Sequence, residues 1–149
     1  MIPAAALLIS ALILTPAAAA VAQPRPFTCI GAEQLEDDVF AIPFARGAAA
    51  PGDAARANLE AAAALARSAP ERSLCVLGYA GPQEGGAQTG LQLAARRAGA
   101  VAEALAKLGV ERDRIRAEAR RTAFANAGGT VPQERSVMVV VLPGPPTPP

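Results

Sequence analysis

Histidine and tryptophan are both missing from the 149 residues, and with them go the commonest general base, the commonest protein metal ligand and the strongest stacking side chain. Ser73, Ser136 and the lone Tyr79 therefore have no imidazole to activate them, and no carboxylate pair with a cleft signal is evident, so the chain reads as a non-enzyme. Aromatics are only 3% of the residues. Ala supplies much of the 52% apolar content, so the core should be built from aliphatic and small side chains that let helices pack closely. No long block of one charge sign occurs, and 14 basic against 13 acidic residues leave a net charge of +1. That balance supplies no general attraction to nucleic acid. The glycine-rich stretch 78–90 lacks the Lys-Ser/Thr ending and the glycine spacing of nucleotide-binding loops, so no cofactor is implied.

Cysteine is scarce as well. Cys29 and Cys75 are the only two, and an even count in an exported chain permits a disulfide, while two buried thiols packing as small hydrophobes is the other reading. Export is suggested by Met1 to Ala22, which carries no charged side chain and runs from an apolar stretch, Ala4 to Leu14, through Pro16 to Ala20-Val21-Ala22. This is a secretory signal pattern with cleavage before Gln23. The lack of Lys or Arg near Met1 leaves a retained anchor as the alternative. Cys29 lies well past that cleavage point, so no lipid attachment is implied.

The remainder divides into a lead-in, 23–35, one domain, 36–142, and a Pro-rich tail, 143–149, that cannot continue a strand. Val39 to Phe44 reads as a short strand, and Pro51-Gly52-Asp53 offers a helix start with Asp53 as N-cap. Leu59, Ala62, Ala63 and Ala66 fall at helical spacing, and Ala69-Pro70 closes that helix. Leu74 to Tyr79 is almost wholly apolar, as an interior strand should be. After the loop 80–90 comes a second helix, with Ala94, Ala98, Val101, Leu105 and Leu108 on one stripe, Gly109 as its stop and Glu103–Lys107 as an exposed pair. Ile115, Ala117 and Ala119 form a third strand, and Val137 to Leu142 a fourth beyond the long loop 120–134. The order β-α-β-α-β-β predicts a two-layer α/β (α+β) sandwich, with a mixed four-stranded sheet and two main helices on one face.

The stretch from Leu77 to Val110 resembles the centre of the OmpA-like peptidoglycan-binding domain. The family text is G-x-T-D-x-x-G, then N-x-x-L-S-x-x-R-A-x-x-V, a leucine, and G-V or G-I. Leu93, Arg97, Ala98, Val101, Leu105, Gly109 and Val110 fall at the family spacing, and the element order over about 105 residues agrees. The resemblance implies a Gram-negative periplasmic or outer-membrane-associated location, with peptidoglycan as ligand and no enzymatic activity. Its site would hold a diaminopimelate residue by an Arg fork on the carboxylate and an Asp on the ammonium. Arg97 fills the Arg position, Gly81 stands where the Asp is expected, and Gly90 where the Asn is expected. The later N-R-R-V-E motif is matched in part by Glu134 to Met138, with Arg135 retained. Glu84, in a loop one residue longer than the family's, is a candidate replacement for the missing Asp. The candidate ligand-binding residues are thus Arg97, Gly81, Arg135 and Glu84. Two functions stay open: a wall-binding module with a partly degenerate site, and a scaffold for contact with envelope proteins.

Overall fold

A computed structural model describes residues 25–81, 84, 89–121 and 134–146. The proposed signal, residues 1–22, and most of the loop 120–134 lie outside the described residues. Within them the strands are β1 (Val39–Pro43), β2 (Leu74–Gly78), β3 (Ile115–Ala119) and β4 (Ser136–Val141), and the helices are α1 (Arg56–Ser68) and α2 (Gly90–Lys107).

The sheet runs β1-β4-β2-β3. Only the β2–β3 pair is parallel; β1–β4 and β2–β4 are antiparallel. Parallel pairing needs a crossover, and α2 supplies it between β2 and β3. The expected sandwich of two helices against a mixed four-stranded sheet is therefore the observed architecture.

Side-chain alternation along each strand separates two cores. On the helical side, Ile42, Val76, Val137, Val139 and Val141 meet Leu59, Ala62, Ala63 and Ala66 of α1 and Ala98, Val101 and Leu105 of α2. Alanine at these contacts brings the helix backbones near the sheet. At Gly78 the approach is close enough that a Cβ would lie 2.0 Å from the Ala94 carbonyl oxygen. On the opposite side, Cys75, Leu77, Tyr79 and Val140 pack against Cys29 and Ala32. Cys29 and Cys75 are joined as a disulfide across 46 residues of sequence. The segment from Phe27 is further held by Arg116, whose Nη1 donates to the Phe27 carbonyl (2.9 Å), and by Arg120, whose Nη2 donates to the Cys29 carbonyl (3.0 Å).

Two local expectations are corrected. Asp53 is not an N-cap: a short 3-10 turn, Asp53–Ala55, precedes α1 with no side-chain cap, and the Asp53 carboxylate instead accepts from Arg56 (3.1 Å). Glu103 pairs with Arg112, in a two-pronged contact of 2.6 and 2.8 Å, and not with Lys107. The planar guanidinium offers two parallel donors to the carboxylate where an ammonium offers a point charge. A buried group absent from the sequence reading is Arg114. It is 1% exposed, and its Nη1 donates to the carbonyls of Ala66, Ala69 and Arg72. Ala66 lies in the last turn of α1 and Ala69 is its C-cap, so Arg114 adds donors to the carbonyls at the C-terminal end of the helix.

Candidate functional site

The candidate residues converge where β2 ends and α2 begins. Gly78 lets the β2 terminus lie against α2, and Tyr79 to Gly81 then run past the first turns of the helix. The helix start is fixed by a capping box: the Thr89 hydroxyl accepts from the Gln92 amide (3.2 Å) while the Gln92 side chain accepts from the Thr89 amide (3.1 Å). Gly90 follows immediately, and a Cβ there would come within 3.3 Å of the Gly81 carbonyl.

Arg97 lies two turns into α2 on its buried stripe, with Leu93, Ala94, Ala98 and Val101, and is 0% exposed. Each of its nitrogens is satisfied. Nε donates to the Ala48 carbonyl (2.7 Å), Nη1 to the Tyr79 carbonyl (3.1 Å) and Nη2 to the Ala45 carbonyl (3.3 Å). The two Nη atoms also grip the Glu84 carboxylate at 3.0 and 2.6 Å, a fork-on-fork pair. The ring of Phe44 lies 5.2 Å from the guanidinium carbon, adding a cation–π contact. One side chain of α2 thus ties the segment after β1 to the end of β2 and to the loop that follows.

Glu84 is nearly as enclosed, its side chain 5% exposed. Besides Arg97, its Oε1 accepts from the Gly47 amide (3.0 Å) and its Oε2 from the Gly81 amide (2.9 Å). The Arg97 hydrogen bonds, ahead of the opposing cost of burial and the help of the two amides, hold the carboxyl down at about 2. Gly47 supplies its amide from a left-handed conformation, φ 70, which glycine adopts without strain.

Of the four residues singled out from sequence, Gly81, Glu84 and Arg97 come together and Arg135 does not join them. Arg135 is exposed, and its backbone carbonyl is the group that ties it to β1, accepting from the Phe44 amide (2.9 Å). Its neighbour Glu134 is the one that reaches Gly81: a Cβ on Gly81 would meet the Glu134 carboxylate oxygen at 3.3 Å and the Glu84 carboxylate oxygen at 3.6 Å. The position where the resemblance calls for an Asp is flanked by two glutamates. Among the described residues no group of three or more His, Cys, Asp or Glu side chains could hold a metal ion. Among them, too, no helix is long and apolar enough to cross a membrane.

Comparison with known proteins matches the OmpA family model to residues 44–135, more than half of the chain. Among solved structures, the peptidoglycan-associated lipoprotein from Burkholderia pseudomallei superposes with a TM-score of 0.58 at 24% identity, over 69% of this chain and 90% of that one. The OmpA-like domain of FopA1 from Francisella tularensis gives 0.55 at 20% identity, over 72% and 75%. A cell wall anchor from Pseudomonas aeruginosa gives 0.54 at 23% identity, over 69% and 79%. At these identities the likeness is one of fold. A search of curated protein sequences returns no match.

Proposed function

The chain belongs to the OmpA family, and from that premise we propose that it is a non-catalytic cell-envelope module that attaches weakly and non-covalently to peptidoglycan. The observation that carries this reading is the guanidinium fork of Arg97, beside the end of β2, closed on the Glu84 carboxylate of the β2–α2 connection. The same fork that holds Glu84 is chemically suited to the carboxylate of a diaminopimelate residue. The names of two structural neighbours, a peptidoglycan-associated lipoprotein and a cell wall anchor, support the ligand class. In this reading the chain is exported by residues 1–22 and works in the periplasm as residues 23–149, with the domain spanning 36–142.

A second reading is favoured by a specific observation. Gly81 provides no carboxylate for the ligand ammonium, and Arg97 already has a full set of partners. A family scaffold with that site would act through contact with another envelope protein. Co-sedimentation of the full chain with diaminopimelate-type peptidoglycan separates the two. Pelleting with the wall, reversed by an excess of solubilised polymeric wall fragments, is the expected result; a chain that stays in the supernatant across wall concentrations rejects wall attachment in favour of the scaffold.

A further inference from the structure

Glu84 is seated as a ligand would be. Its two oxygens accept from four N–H groups that converge from three separate segments: Gly47 after β1, Gly81 after β2, and both Nη atoms of Arg97 in α2. The charged donor, Arg97, is fixed independently of Glu84. It is anchored by the carbonyls of Ala45, Ala48 and Tyr79, and its ring partner Phe44 belongs to the main core. Glu84 itself belongs to the connection between β2 and α2. An Arg fork anchored by three carbonyls, with two backbone amides beside it, thus holds a carboxylate brought in by the β2–α2 connection.

We propose that the Arg97 fork, with the amides of Gly47 and Gly81, is a carboxylate-binding site whose resident occupant is the chain's own Glu84, and that a ligand carboxylate binds by taking Glu84's place. The exchange is close to even in contacts, because one carboxylate replaces another on the same donors. What opposes it is tethering: a carboxylate on a short loop presents itself at an effective concentration on the order of mM or above. A monomeric ligand is therefore disfavoured, and a polymer presenting many carboxylates is the natural competitor. Glu84 sets an occupancy threshold in place of a permanently open pocket. That the polymer is the wall rests on the reading above; the carboxylate site does not.

Glu84→Ala in the full chain removes the occupant and leaves the donors. Acetate should then raise the melting temperature of the variant in a concentration-dependent way, leave the parent's unchanged, and outperform chloride at matched ionic strength. A variant that responds alike to acetate and chloride overturns the site. Should Glu84→Ala fail to fold, Glu84→Gln retains the side-chain shape with a weaker hold on the fork, and the same acetate-specific rise is required of it. A second arm titrates a diaminopimelate-containing stem peptide, with binding to the variant expected to be about tenfold tighter than to the parent, since the internal competitor is gone. Equal or weaker binding by the variant overturns the displacement. Acetate rescue with no stem-peptide binding by either protein upholds the carboxylate site and removes the wall reading.

Discussion

Replacing Arg97 with Met keeps an unbranched apolar stem and removes every N–H donor. The loss is large for a countable reason: the carbonyls of Ala45, Ala48 and Tyr79 and the Glu84 carboxylate all lose a charged partner. Breaking one side of a buried ion pair costs about 3 to 5 kcal/mol. The acid side gives a second figure. The Glu84 carboxyl is held at about 2 against an ordinary 4.5, which converts to about 3 kcal/mol of linked stability. Because this carboxyl is depressed in the folded chain, its contribution is fully present above the ordinary value and is lost as pH falls from there towards 2. Urea unfolding of parent and Arg97→Met should therefore differ by about 3 to 5 kcal/mol near neutral pH, and the gap should narrow steadily on acidification below about pH 4.5. Adding Glu84→Leu to Arg97→Met should recover part of the loss, since an apolar side chain in place of the orphaned carboxylate removes its desolvation cost. A neutral-pH loss under about 1 kcal/mol, or a gap independent of pH, would refute the role of this pair as the clamp between β1, β2 and α2.

Three further outcomes follow from the fold. Reducing the disulfide, or Cys29→Ser with Cys75→Ser, should lower unfolding stability by about 4 kcal/mol in the chain-entropy description for a 46-residue separation, read from urea midpoints with and without reductant. Arg114→Ala should cost about 3 kcal/mol by the same denaturation, because it strips partners from several carbonyls at the end of α1, while Arg112→Ala, which only breaks the surface pair with Glu103, should leave the midpoint where it was. Gly78→Ala should cost about 3 kcal/mol or more, since the added methyl meets the Ala94 carbonyl and only backbone movement relieves it; a folded variant with an unchanged midpoint would show that the sheet and α2 are less closely packed than described.

The order of the elements was readable because each carries its own period. The apolar run 74–79 and the stripe through Ala94, Ala98, Val101 and Leu105 fix a strand and a helix whatever surrounds them. The side-chain pairings were less readable. Glu103 and Lys107 have favourable spacing, yet Arg112 wins by folding back from the next turn, which spacing along one helix cannot show. Arg114 seals α1 from a segment more than forty residues away, again a product of tertiary placement. Two signals were present and unused. Thr89-x-x-Gln92 has the form of a capping box. Arg97 sits four residues from both Leu93 and Val101, so the helical stripe itself announced that its guanidinium would be buried.

The pairing of glycine at 81 with glutamate at 84 is better understood as one choice than as two. An Asp at 81 would place its Cβ 3.3 Å from one glutamate oxygen and 3.6 Å from the other, and its charge would stand against the carboxylate that Arg97 already holds. Like charges at such separations raise one another's pKa and oppose joint ionisation. An open site of the kind the resemblance describes needs the Asp and an unoccupied Arg fork; a site filled by Glu84 needs the space that a glycine leaves at 81. The two arrangements compete for the same space and charge at this strand end. On the proposal made above, the glycine at 81 is thus part of what lets Glu84 sit on the Arg97 fork.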